Sequence, residues 1–152
     1  MTDEDRPMPV RRPVVLTGIS SRAWEHPADR GALTALRELR GFDDVLKAIN
    51  GLWSERAWRL EFLGSAIKVS ERQYPRLHQG FASAAATLDV PELPELFVSP
   101  DRRLNGMCIG MSKPFIVVNH GAVELLDDEE MRVLFGHELG HLMSGHAVYR
   151  TM

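Results

Sequence analysis

The order of residue patterns predicts an α+β domain, in which helices come first, a small β-sheet follows and a last helix ends the chain. Apolar residues recur at helical spacing up to about residue 88, and three short β-type runs follow Pro91. The 152 residues are 44% hydrophobic and 26% charged, as in one ordinary globular domain. We therefore expect a flexible arm over residues 1–13, which are rich in proline and charge, and one domain over 14–152.

Residue patterns in the first half of the chain predict one strand and three helices. Val14–Thr17 is mostly β-branched and could add a strand to the sheet. Helical spacing predicts one helix over Leu33–Leu39, a second over Val45–Trp53 and a third from Pro75, since proline suits the first turn of a helix. The expected buried stripe of the third helix is Leu77, Phe81, Ala84, Ala85 and Leu88.

Three short apolar runs predict the sheet. Leu96–Val98 lies between prolines, and Asn105–Gly110 and Phe115–Val118 follow, joined by a turn at Met111–Pro114. The next segment, Asn119–Asp128, is expected to be a loop or a short helix. These runs predict a small sheet immediately before the last helix.

The last helix has strong signals at its start. Asp127 and Glu130 have the spacing of a capping box, and further acids stand in the first turn, where the helix dipole favours them. Apolar residues surround most of its circumference, so we expect it to be buried. Gly136 and Gly140 are expected to admit a neighbouring backbone.

Composition excludes several classes of function. The formal charge of −3 gives no overall attraction to nucleic acid. The single cysteine, Cys108, permits no internal disulfide, and the first residues do not have the pattern of a signal peptide. No uncharged apolar stretch approaches the roughly 18–20 residues that span a bilayer. We therefore expect a cytoplasmic protein without a membrane span in this chain.

The last helix also carries a metal-binding motif, HExxH, at residues 137–141. Residues four apart stack on one helical face, so the imidazoles of His137 and His141 can reach one ion, for which Zn²⁺ is suited. Glu138 lies about 100° further round the helix and is placed to take a proton from an activated water. The composition predicts only about 0.02 accidental matches, so the motif indicates zinc-dependent hydrolysis of peptide bonds.

The residue patterns do not identify the third zinc ligand. His146 would lie about 180° from His137 if the helix continues, so it is poorly placed. His120 and Cys108 are weaker in-chain candidates, and a second copy of the chain is another source. The alternative function is a non-catalytic folding or interaction domain that retains the motif without a complete metal site.

The run LNGMCIGMSKPFIVVNHGAVELLDDEEMRVLFGHELGHLMSGH resembles the catalytic core of a gluzincin metallopeptidase family. That family includes the CAAX prenyl proteases and the bacterial heat-shock membrane protease, and the likeness is closest to its soluble bacterial members. The matching elements are Asn105–Gly110, Phe115–Val118, Leu125–Glu130 and Gly136–His146. One departure is Gly106, where the family pattern has alanine.

The resemblance implies a zincin-like fold, zinc bound by His137 and His141, and Glu138 as the general base of a metalloendopeptidase. The family's third ligand is a glutamate on a second helix, tens of residues after HExxH, and this sequence ends at Met152. The chain is therefore expected to be the N-terminal part of a catalytic domain. An uncovered apolar side of the last helix would then favour self-association or a missing C-terminal segment.

The expected partner is a polypeptide substrate. In zinc peptidases of this resemblance, a substrate lies as an extra strand along a sheet edge beside the metal. Asn105–Gly110 is short, contains glycine and precedes the most apolar strand, so we predict that it forms that edge. The predicted substrate-binding residues are Asn105, Gly106, Met107 and Cys108.

Overall fold

The computed structural model confirms an α+β arrangement built on a four-stranded mixed sheet. The strands are β1 (Ile67–Lys68), β2 (Glu95–Ser99), β3 (Gly106–Ile109) and β4 (Phe115–Asn119), in the spatial order β1-β2-β4-β3. β2 and β4 are parallel, while β1 and β3 are antiparallel to their neighbours. The structure describes residues 14–28, 31, 34–35, 59–60, 62, 64–110 and 113–144.

Three α-helices that the structure describes from end to end accompany this sheet: α1 (Pro75–Thr87), α2 (His120–Leu125) and α3 (Asp128–Met143). The predicted start of α1 at Pro75 is confirmed, and Phe81, Ala84 and Ala85 form its buried stripe. The segment Asn119–Asp128, expected to be a loop or a short helix, contains α2.

The main core lies between one face of the sheet and the helices α1 and α3. Side chains alternate along a strand, so Ile116 and Val118 of β4 face this core, while Phe115 and Val117 face the other side. All five residues of β4 are buried, as expected for an inner strand covered on both faces. Phe81 of α1 meets Phe135 of α3 edge to face, with 5.1 Å between ring centroids. This packing fixes α3 against the sheet.

The opposite face of the sheet is covered by residues that precede β1. Phe62 meets Phe115 with 5.8 Å between ring centroids, and the Arg59 guanidinium lies 5.4 Å from the centre of the Phe115 ring. Arg59 and Lys68 both pair with Glu95, and the hydrogen bond from Lys68, opposed in part by burial, lowers the pKa of that carboxyl. These contacts tie the β1 edge to β2.

Two expectations about the fold need correction. Val14–Thr17 is not a strand: residues 14–16 are irregular, and the Leu16 N–H donates to the carbonyl of Thr87 at the end of α1. The helix α3 is buried along one face rather than all round, and Val133 is 73% exposed. In the described part of the chain, α1 and the sheet cover α3 from one side.

Some predictions fall outside the described residues. They are the flexible arm over 1–13 and most of the two helices predicted between Leu33 and Trp53. Among the residues that the structure does describe, no helix is long and apolar enough to cross a bilayer.

Candidate metal centre

A capping box fixes the start of the helix that carries the motif. The Asp127 carboxylate accepts a hydrogen bond from the Glu130 N–H at 2.9 Å, and the Glu130 carboxylate accepts one from the Asp127 N–H at 3.0 Å. Two otherwise unpaired N–H groups are thereby satisfied, and the acids of the first turn complement the helix dipole. With its start and its packing fixed, α3 sets the direction of every later side chain.

The imidazoles of His137 and His141 meet on one face of α3. Their Nε2 atoms are 3.0 Å apart, and the ring centroids are 4.5 Å apart with nearly perpendicular planes. His137 is exposed and His141 is half-buried, so the pair opens to solvent. The spacing that the motif predicts is therefore realised.

The donor chemistry of this pair fits a zinc ion. Two nitrogen ligands of a tetrahedral zinc, each bonded at about 2.0–2.1 Å, lie roughly 3.3 Å apart, close to the separation of the two Nε2 atoms. Within the described residues, no group of three His, Cys, Asp or Glu side chains is arranged to hold a metal. The described residues thus bring together two candidate ligands, one fewer than a catalytic zinc site usually has.

Glu138 lies beside the pair but faces inward. It is 2% exposed, and its neighbour across the gap is the backbone of Gly106 on β3. A Cβ at Gly106 would stand 3.3 Å from the Glu138 Oε1 and 3.2 Å from the Leu134 Cδ1. The carboxylate therefore lies between the motif helix and the edge strand.

The structure does not bring Cys108 or His120 to the pair as a third ligand. Cys108 is buried in the main core, with 1% exposure. His120 begins α2 and pairs with Glu124 at 3.2 Å. Neither forms a group of three with the pair in the described part of the chain. His146 lies outside the described residues.

The structure gives the segment predicted to form the substrate edge an edge position among the described strands. Among the described strands, β3 pairs only with β4 and forms one edge of the sheet, while β4 lies inside it. Asn105 precedes β3 and is exposed; Cys108 faces the main core and Met107 the opposite one. Since these side chains alternate between two cores, a polypeptide that joined this edge would meet the backbone of β3 first.

Hydrogen bonds hold the loop that leads into β3. The Asp101 carboxylate accepts hydrogen bonds from the side chain and the backbone N–H of Arg103, which hold the pKa of Asp101 at about 2. The Asp101 carbonyl accepts a bond from the Gly121 N–H, and the Asn105 carbonyl accepts one from the Asn119 N–H. The start of the edge strand is thereby attached to the end of β4 and the start of α2.

The sequence patterns did not indicate one neighbour of the pair, Trp24. Its indole N–H donates to the Ser144 Oγ at 3.2 Å, one helical turn beyond His141. The expected close approach of a backbone to the two glycines is not seen within the described part. Gly140 faces the Trp24 indole, and Gly136 has open space beside it. Trp24 and Ser144 are 120 positions apart, so no local pattern could predict this contact.

Comparison with known proteins identifies the family. The family model described as Peptidase family M48 matches residues 71–152, which include β2, β3, β4 and all of the motif helix. The chain belongs to peptidase family M48. The metallopeptidase family indicated by the sequence resemblance is thus confirmed, and family M48 membership implies a metal cofactor.

Similar proteins carry metallopeptidase or protease names. The plastoglobule-localized metallopeptidase 48 of Arabidopsis thaliana is 34% identical over 141 residues, which are 91% of this chain and 41% of that protein. A protease HtpX homolog of Pseudarthrobacter chlorophenolicus is 35% identical over 51% of this chain and 27% of its own length. Another protease HtpX homolog, of Methanothermobacter thermautotrophicus, is 30% identical over 55% of this chain and 33% of its own length. The chain spans less than half the length of these relatives, and no solved structure gives a significant match.

Proposed function

We propose that this chain supplies the two-histidine helix and the substrate-side strand of a zinc-dependent metalloendopeptidase. The observation that carries the proposal is the 3.0 Å separation of the two Nε2 atoms on the open face of α3. Membership of peptidase family M48 supports it. The names of the similar proteins agree with this activity.

In this proposal, His137 and His141 bind zinc through their Nε2 atoms. A bound zinc ion acts as a Lewis acid and acidifies water. Glu138 accepts a proton from the attacking water and returns it to the leaving amine, as a general base and then a general acid. Its position between α3 and β3 supports this role, because a polypeptide on the β3 edge would lie next to the carboxylate.

The substrate is proposed to be a polypeptide that adds to the β3 edge as an extra strand. Backbone groups of Asn105, Gly106, Met107 and Cys108 would bind it, so main-chain hydrogen bonds would supply much of the affinity. The edge position of β3 among the described strands supports this arrangement. The loop bonds at Asp101 and Asn105 support it too, because a fixed edge loses less entropy on binding.

The third ligand is proposed to come from outside the described residues. The resemblance favours a glutamate on a downstream helix of a longer protein, while His146 and a second copy of the chain are the other sources. Because catalytic zinc normally has three protein ligands, we expect this chain alone to bind zinc weakly and to show little peptidase activity. A longer chain that contains the downstream glutamate should be active.

Metal binding by single variants tests this proposal. Calorimetry with Zn²⁺ should show about one weak site per chain, and His137→Ala or His141→Ala should abolish it. Glu138→Gln should keep the site because Glu138 is not a ligand, yet in a longer active chain it should lower turnover by about 10²-fold or more.

Three outcomes would contradict the proposal in whole or in part. Loss of zinc binding in Glu138→Gln would show that the assignment of Glu138 as a general base rather than a ligand is wrong. Absence of any histidine-dependent zinc site would favour a non-catalytic folding or interaction domain. Strong, chelator-sensitive proteolysis by a monomer of this chain would instead point to an in-chain third ligand.

A further inference from the structure

The histidine pair lies between two walls on the surface of α3. With about 100° between successive residues, Glu138 is about 100° from His137 in one direction, and Gly140 is about 60° away in the other. The first side contacts β3 at Gly106. The second side contacts Trp24, through Gly140 and Ser144. Trp24 therefore lies across the pair from the proposed substrate strand.

The contacts of Trp24 hold its indole in place and leave part of it open. The Nε1–H donates to the Ser144 Oγ at 3.2 Å, and a Cβ on Gly140 would stand 3.7 Å from Nε1, an ordinary van der Waals distance. Trp24 is 40% exposed, whereas a tryptophan used only for packing buries most of its ring. Part of Trp24 therefore stays accessible to solvent next to Gly140 and Ser144.

The segment that carries Trp24 is attached to the end of α1. The Leu16 N–H donates to the Thr87 carbonyl at 2.8 Å, and the Gly18 N–H donates to the Asp89 carboxylate at 2.9 Å. Gly18 has φ +65°, a left-handed conformation that favours glycine. The N–H of Trp24 itself closes a short 3₁₀ helix, Ser21–Ala23, on the Ser21 carbonyl. These bonds position the indole independently of any ligand.

We propose that Trp24 is a specificity-determining residue of the cleft, forming the wall opposite β3. A polypeptide strand on β3 would pass over the histidine pair, and its side chains that point away from β3 would meet the indole. A flat apolar ring favours an apolar or aromatic side chain over a polar one, since it removes apolar surface from water. This inference rests on the proposed function, because it requires a substrate strand at the pair.

The first experiment tests the proximity of Trp24 to the metal site. In Trp53→Phe/Trp58→Phe, Trp24 is the only tryptophan, and Cu²⁺ bound at the histidine pair should quench its fluorescence strongly. Adding His137→Ala and His141→Ala should remove that quenching. The matched control moves the reporter to Leu93, which is also 40% exposed but precedes β2. Trp24→Phe/Leu93→Trp in the same background should show much weaker quenching by Cu²⁺.

The outcomes separate this inference from the proposed function. If calorimetry shows histidine-dependent Cu²⁺ binding but Trp24 is not quenched more than the reporter at 93, the placement of Trp24 is overturned and the metal centre stands. If no histidine-dependent binding occurs, both proposals are overturned. Far-ultraviolet circular dichroism checks that each variant is folded.

The second experiment measures specificity without turnover. In zinc-loaded Glu138→Gln protein, a short peptide with a central leucine should bind more tightly than the same peptide with serine. Adding Trp24→Ala should weaken binding of the leucine peptide by about 10-fold and change the serine peptide little, whereas Leu93→Ala should change neither. Trp24→Phe should retain most of the preference. Equal weakening of both peptides by Trp24→Ala would indicate a purely structural role and overturn the proposal.

Discussion

The two faces of the 16-residue helix α3 lie in opposite environments. One face places Met131, Phe135 and Leu139, at most 5% exposed, against α1 and the sheet. The other face presents Val133 and His137 to solvent. The buried face supplies stability, and the open face carries the proposed zinc ligands.

This division explains how a solvent-exposed polar face can be held rigidly. Burial of large apolar side chains fixes the position and rotation of the helix, so the imidazoles do not need contacts of their own to stay aligned. Glu138 is the exception, because it is a carboxylate on the buried side of the boundary. Substitutions on the two faces should therefore separate stability from metal binding.

The largest effect is expected from Phe135→Ala on the buried face. Phe135 is fully buried and meets the ring of Phe81, so its loss leaves a cavity and removes an aromatic contact. We expect the free energy of unfolding to fall by about 3–5 kcal/mol, measured by urea denaturation.

The matched control lies two positions earlier on the open face. Val133→Ala removes a side chain that is 73% exposed, so it should change the free energy of unfolding by less than about 0.5 kcal/mol. A comparable loss in both variants would mean that the open face is covered in solution, for example by self-association. That result would contradict the division of α3 into a buried face and a solvent-exposed face.

The sequence predicted those elements whose signals are local. Pro75 marked the start of α1, the D-x-x-E pair at Asp127 marked the start of α3, and continuous apolarity marked β4 as an inner strand. The motif alone predicted that His137 and His141 would meet, because helical spacing determines it.

The remaining features depend on contacts between distant parts of the chain. Val14–Thr17 has strand propensity but is irregular, since β-propensity acts only where a neighbouring strand is available. The strand β1 has two residues, too few to show alternation, and it pairs with β2 about 30 positions later. Apolar composition alone predicts burial of α3 all round, because it does not show how much of the helix its neighbours cover. The uncovered side that was also expected is seen at Val133. Only the fold reveals the approach of Gly106 to Glu138.

A smaller effect is expected where the two faces of α3 meet, at Gly106. Gly106→Ala adds a methyl group 3.2 Å from Leu134 and 3.3 Å from Glu138, so these flexible side chains must move by a few tenths of an ångström. We expect a loss of about 1 kcal/mol of unfolding free energy, with zinc affinity unchanged. Urea denaturation and calorimetry measure the two quantities.

Gly106→Val would place a larger side chain in the same position, so it should lower the free energy of unfolding by more than Gly106→Ala does. If Gly106→Ala were as stable as the parent chain, Glu138 would have room to shift, in keeping with the alanine that the family pattern has at this position. A loss of zinc affinity in Gly106→Ala would instead show that the pair depends on the position of Glu138.

An effect of similar size is expected at the start of α3, about four turns from His141. Asp127→Ala removes the carboxylate that accepts the Glu130 N–H, and we expect it to lower the free energy of unfolding by about 1 kcal/mol. Asp127→Asn keeps an acceptor and loses only the charge, so most of the stability should remain. Zinc affinity should stay within about twofold in both variants, because the dipole effect falls off within the first turn and core packing still holds the helix. A large loss of zinc affinity in Asp127→Ala, with the protein still folded, would show that the cap rather than the buried face aligns the histidines.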